Sequence, residues 1–154
     1  IGKLQADGAT NVIPQSAFAQ GTLRTMDEAW RQQIHDKMML FTSDFLASKN
    51  AQGELRIAKG YPSLLNNELF TKQSMLSAKD YLGAENVEEM DIRMTAEDFS
   101  FYSQITPACF FRLGIRNEDL GITYGVHHPK FDIDQNALKV GAGVMAQIAI
   151  SALD

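Results

Sequence analysis

The residues with the greatest chemical reach in this 154-residue chain are two adjacent histidines ahead of a proline, in His127-His128-Pro129-Lys130-Phe131. A neutral imidazole is the commonest transition-metal ligand, and Pro129, two residues on, would fix the approach of the His127 ring. On these residues alone, metal ligation competes with a plain reading as two loop histidines, because further donors are not evident nearby. Met94-Thr95-Ala96-Glu97-Asp98-Phe99 sets two carboxylates at the start of a short helix. There they complement the helix dipole and take orphan amides more readily than they contact a substrate. Arg24 offers a planar fork suited to a carboxylate and Asn11 a neutral donor, on neighbouring segments; by themselves both read as ordinary surface residues. Cys109 lies in an apolar run, which makes its thiol buried and inert rather than nucleophilic.

Something must position these groups. Alternation of apolar and polar residues predicts a strand from about Ser16 to Arg24. Thr25-Met26-Asp27-Glu28 then reads as a capping box that opens a helix ending near Lys49, with Asn50 to Gly53 as its stop. Met26, Trp30, Ile34, Met38, Phe41 and Phe45 lay one apolar stripe along that helix. Glu54 to Lys59 alternates again and predicts a strand ending at Gly60-Tyr61-Pro62, so the first block is strand, long helix, strand: half of a split βαβ unit.

After Pro62 the pattern changes. Asn66 or Asn67 caps a helix carrying Leu69, Phe70, Leu76 and Tyr81, with Gly83 just past its end. A strand over Val87 to Met94, a short helix over about Ala96 to Gln104 and a nearly continuous apolar strand over Pro107 to Leu113 follow. A last helix, opened by Asp134 and running to about Leu153, is expected to bury Leu138, Ala142, Met145, Ile148 and Ala149. This is α/β alternation. Neither block is complete, since two strands make a poor α/β sheet.

Composition narrows the function classes. With 14 Lys and Arg against 19 Asp and Glu the net charge is −5, and the cations are scattered singly, which argues against a nucleic-acid or polybasic membrane module. One cysteine cannot form an internal bridge, so a disulfide scaffold is excluded. No run reaches the roughly 18 apolar residues of a membrane span. The most apolar stretch, Val140 to Leu153, is broken by Gly141, Gly143, Gln147 and Ser151. Residue 1 is Ile rather than Met, so the given amino terminus is expected not to be a translation start and the chain to be a piece of something larger.

Taken in order, Gly8-Ala9-Thr10-Asn11-Val12-Ile13-Pro14, Gly21-Thr22-Leu23-Arg24-Thr25, Gly60-Tyr61-Pro62, Ala96-Glu97-Asp98-Phe99 and His127-His128-Pro129-Lys130-Phe131-Asp132 resemble one known group. It is the hippurate hydrolase and N-acyl-amino-acid amidohydrolase group of the aminoacylase/carboxypeptidase G metallopeptidase family. The resemblance covers essentially the whole chain but only the carboxyl-terminal part of the family's protein. It implies an α/β fold in which residues 1–60 are the second half of a ferredoxin-like α+β lid that also dimerises. Residues 61–154 would be the end of an α/β metallopeptidase-like catalytic domain.

The same resemblance implies a divalent metal site, with two zinc ions as the default and manganese or cobalt as alternatives. The general base and most ligands would lie in the amino-terminal part, so no catalytic residue is expected in this chain. The first His of H-x-P-x-F/Y falls on His127 and implies a metal ligand; His128 occupies the variable position. Asn11 and Arg24 match lid residues that face the substrate carboxylate or the developing oxyanion, in the active site of the partner subunit of a homodimer. The implied substrate is an N-acyl amino acid or small peptide with a free carboxylate, the implied location cytoplasmic, and the chain alone is expected to hydrolyse nothing. Two other readings are a non-catalytic small-ligand-binding or dimerisation module and an inactive family member serving as a structural subunit.

Overall fold

The computed structural model describes residues 1–153. They fall into two compact units, one over Ile1–Ser63 and the other from Leu64 onward. In the first, strand β1 (Lys3–Gln5) pairs antiparallel with β2 (Phe18–Gln20) in the register Lys3 to Gln20, Leu4 to Ala19 and Gln5 to Phe18. The Lys3 ammonium lies 5.7 Å from the centre of the Phe18 ring. The predicted strand over Ser16 to Arg24 is thus real only at its centre, and its partner at Lys3–Gln5 was not foreseen. Three residues carry no period, so β1 left no signal in the pattern.

Helix α1 (Glu28–Ser48) starts later than the capping-box reading placed it. Its cap is Asp27, whose carboxylate accepts the Trp30 amide at 2.7 Å, while the Thr25 hydroxyl donates to the Asp27 carbonyl. Glu28 cannot reach back as a capping-box acid because its carboxylate is used elsewhere. One oxygen accepts the Ser63 amide at 2.9 Å and the other pairs with Arg31, whose guanidinium also donates to the Tyr61 carbonyl at 2.9 Å. This ties residues 61–63 to the first turn of α1. At the far end Asn50 takes φ 50° while its amide donates to Ala47 and that of Ala51 to Leu46. That pairing is a Schellman stop with Asn in the left-handed position. The apolar stripe of α1 is not buried: Trp30 is 57% and Phe41 70% exposed.

In the second unit α2 (Glu68–Leu82) runs between an Asn67 cap, which accepts the Phe70 amide at 2.9 Å, and Gly83 at φ 90°. A single 3₁₀ turn, Ala84–Asn86, follows. Helix α3 (Ser100–Ser103) is only four residues long, far shorter than the expected Ala96 to Gln104. Helix α4 (Asn136–Ser151) packs on α2. The buried residues of this pair are Ser74, Ser77, Ala78, Ala137 and Val144. The expected buried stripe of α4 is therefore overturned, with Leu138 61% and Met145 59% exposed. The helices approach along small residues instead. A Cβ on Gly143 would come within 2.0 Å of the Tyr81 hydroxyl oxygen, so that face of α4 takes a side chain from α2 where it has none of its own.

None of the three strands expected over Glu54–Lys59, Val87–Met94 and Pro107–Leu113 forms. A strand exists only by laddering with a neighbour, and no other segment supplies the partner bonds. The closest approach to a ladder is made by side chain and turn: Asn66 donates to the Phe110 carbonyl and accepts its amide, at 2.9 and 2.8 Å, and the Asn67 amide donates to Ala108 at 2.8 Å. Among the described residues the architecture is thus mostly helical with one small antiparallel sheet, compatible with a piece of an α/β protein. No helix of the described chain is long and apolar enough to cross a membrane.

Candidate functional site

The loop that carries the two histidines is closed at its base by a polar staple. Asn117 and Ile122 form an antiparallel bridge, turned at Gly121 with φ 71°. The Asn117 amide group also donates to Asp134 at 2.7 Å, and the Asp134 backbone amide donates to Ile115 at 3.0 Å. The second carboxylate oxygen of Asp134 accepts the Asn136 amide at 2.9 Å and its carbonyl accepts that of Ala137. Asp134 therefore starts α4 and ties the loop's exit to its entry. These donors, the Asn117 amide first and the Asn136 amide next, hold its carboxyl below the usual carboxylate range.

The sign of the pH dependence follows from that shift. A carboxyl whose folded pKa is depressed stabilises fully above its ordinary value of about 3.9 and loses the contribution as pH falls through the lower folded value. An acid titration of stability is expected to show a loss between the ordinary and the lowered folded value which Asp134→Asn flattens; parallel curves for the two proteins would show that the staple carries no linkage.

Within the staple two turns share one residue. His128 donates its amide to Gly125 at 3.2 Å, which places His127 third in that turn, and Phe131 donates to His128 at 2.9 Å, which places Pro129 second in the next. His127 has φ 71°, the left-handed value that the third position of a type II turn requires and that normally selects Gly or Asn. A residue with a Cβ pays about 1–2 kcal/mol there. The strain coincides with the residue singled out from the sequence, and its exposed imidazole makes no hydrogen bond among the described residues. The His128 ring is occupied differently: its Nδ1 accepts the Lys130 amide at 3.0 Å and its face stacks on Tyr124 at 4.2 Å and 11°. A ring nitrogen that accepts carries no proton, so neutral His128 holds its proton on Nε2.

Asn11 and Arg24 lie on the unit Ile1–Ser63, and His127 on the unit from Leu64 onward. Asn11 is third in a turn closed by the Val12 amide on Ala9 at 3.1 Å, and both Asn11 and Arg24 are exposed. The carboxylates of Glu97 and Asp98 do not take the orphan amides expected of them. The backbone carbonyls do so instead, accepting from Ser100 and Phe101. The Ser100 hydroxyl turns back to Glu97 at 2.6 Å and is fully buried, beside a cluster in which Phe99 meets Tyr102 and Phe110 at 5.6 Å each. Cys109 is a free thiol of intermediate burial. The staple and the Asn66 bridge were missed from sequence; the one available signal was an Asx residue beside each loop's end.

The description "Peptidase family M20/M25/M40" matches residues 5–151. The chain belongs to this peptidase family. Relatives of the M20/M25/M40 family include a Bacillus subtilis (strain 168) protein named "Putative amidohydrolase YhaA", 32% identical over 97% of this chain and 38% of its own length. "Thermostable carboxypeptidase 1" of Saccharolobus solfataricus is 36% identical over 91% of the chain and 35% of its own length. "IAA-amino acid hydrolase ILR1-like 6" of Arabidopsis thaliana is 34% identical over 86% and 28%. The chain thus spans between a quarter and two fifths of these relatives. No solved structure matches it significantly.

Members of an M20/M25/M40 peptidase family invite a test of the donors present. Among the described residues no group of three or more His, Cys, Asp or Glu could hold a metal ion. No complete metal site is therefore assembled among the described residues. His127 fits as a single donor to one, because its ring is exposed and uncommitted, whereas His128 has spent Nδ1 on the Lys130 amide.

Proposed function

We propose that this chain is the carboxyl-terminal portion of a metal-dependent amidohydrolase that cleaves the amide bond of N-acyl amino acids or small peptides ending in a free carboxylate. The observation that carries the reading is the strained, exposed His127 within a match to the peptidase family over residues 5–151. Residues 1–60 are the second half of a lid and dimerisation domain, and 61–154 the end of the catalytic domain. His127 is one ligand of a divalent metal site, zinc by default, whose other ligands and general base lie on polypeptide ahead of Ile1. The names of the relatives, an IAA-amino acid hydrolase and a carboxypeptidase, support a substrate with a carboxylate beside the scissile bond. When bound, the metal supplies a Lewis acid and lowers the pKa of water to about 7.

The chain's own residues then have separate tasks. His127 donates one imidazole nitrogen from a turn that holds it in place. Arg24 pairs its guanidinium with the substrate carboxylate, whose burial would otherwise leave an unmatched charge. Asn11 donates its side-chain amide to the oxygen on which negative charge develops. Asn11 and Arg24 act in the partner subunit's site of a homodimer, so lid closure brings them to the substrate and excludes water.

Expression of the complete reading frame tests the whole proposal. The long product is expected to hydrolyse N-acyl amino acids in a metal-dependent way, and residues 1–154 alone to hydrolyse none. A reading frame that starts at or just before Ile1 would favour a small-ligand-binding or dimerisation module instead, as would a long product that binds no metal.

A further inference from the structure

We propose that His128 is a positioning residue: by accepting the Lys130 amide, its Nδ1 locks the pair of turns that aims the His127 imidazole. This inference rests on the reading of His127 as a metal ligand. His128 is the hinge-pin of the loop because it closes one turn with its amide, opens the next with its carbonyl and braces that next turn with its ring. A side chain that accepts the amide two residues on does what Asx residues do in turns, and it holds the chain entering Pro129 in one path.

Two more contacts stop the ring from turning away. Its face lies on Tyr124, 4.2 Å between centroids and 11° from parallel, and the Lys130 ammonium sits 5.7 Å from the same phenol ring. Tyr124 and Lys130 therefore bracket residues 125–129 from both sides in sequence, and the His128 ring is stacked on the first and accepts the amide of the second. His127, held at φ 71° in the middle, has no hydrogen bond of its own to keep it there. Without the His128 acceptor the first turn can relax toward negative φ at His127, and relaxation swings the imidazole away from its present direction. The role belongs to the acceptor atom, not to imidazole chemistry, so a different side chain with an oxygen at the same reach should replace it.

That distinction makes the inference testable in the complete protein with His128→Leu, His128→Asn and His127→Ala. Zinc affinity is measured by competition with a chromophoric chelator, and the visible spectrum of the cobalt(II)-substituted protein reports ligand geometry. His128→Leu is expected to weaken zinc binding by about 10–100-fold, the usual effect of removing an outer partner of a ligand, and to shift the cobalt bands. His128→Asn, which keeps an acceptor for the Lys130 amide, should restore both. If His127→Ala loses a metal while His128→Leu binds zinc like the parent, or while His128→Asn is as weak as His128→Leu, the positioning role is overturned and the ligand assignment stands. If His127→Ala keeps its full metal content, both fall.

Discussion

His127→Ala, made in the complete protein, is expected to remove one metal equivalent and nearly all turnover. A bound metal is worth several kcal/mol of transition-state charge stabilisation, and each ~1.4 kcal/mol is tenfold in rate, so the loss is on the order of 10³-fold or more. The fold should survive, because the His127 ring is exposed and makes no hydrogen bond among the described residues. Alanine also tolerates the left-handed backbone no worse than histidine does by sterics alone. Metal analysis by mass spectrometry, alongside kcat/KM, separates the outcomes: unchanged metal with unchanged rate would remove His127 from the site. Lost rate with retained metal would instead assign it to substrate or transition-state contact.

Arg24→Ala should act on a different axis. Truncating one partner of a desolvated, hydrogen-bonded charge pair costs about 2–5 kcal/mol, so kcat/KM for substrates with a free carboxylate should fall by roughly two orders of magnitude or more. The corresponding esters, which lack that charge, should lose far less. Arg24→Lys keeps the charge but not the planar fork and should fall between them. Because Arg24 is proposed to serve the partner's site, mixing subunits carrying Arg24→Ala with subunits carrying His127→Ala offers a second check. Each mixed dimer then contains one site with both lesions and one with neither, and activity should reappear above that of either parent. Mixing without recovery, in subunits shown to exchange, would put Arg24 in its own subunit's site.

What could be read from the sequence divides along the range of the interactions. Helix ends are set within a few residues, and Asn67 with Gly83 bounded α2 well, as did Lys49 and Asn50 at the end of α1. The start of α1 was misread because the sequence offers two candidate caps, Thr25 and Asp27, of which Thr25 donates to Asp27 and only Asp27 accepts a helix amide, while Glu28 is drawn off by Ser63 thirty-five residues away. Strands are non-local, so alternation over Glu54–Lys59 could state a preference without the neighbour that would realise it. The buried face of α4 was misjudged for a related reason. Large apolar side chains suggested Leu138 and Met145, but the approach of Tyr81 selects the side where Gly143 leaves room. For the site, the order of short motifs pointed to His127, Arg24 and Asn11. The turn that strains His127 was illegible, since its third position ordinarily asks for Gly or Asn.

The hold that Glu28 and Arg31 exert on residues 61–63 bears on where the polypeptide can be cut. Severed after Lys59, the first unit would forfeit the Tyr61 carbonyl and the Ser63 amide together, leaving a guanidinium and a carboxylate on one helical turn with only each other to satisfy. Severed after Ser63, it would keep both. The natural seam for dissecting this polypeptide thus lies just beyond Gly60-Tyr61-Pro62, after Ser63 on the far side of the proline.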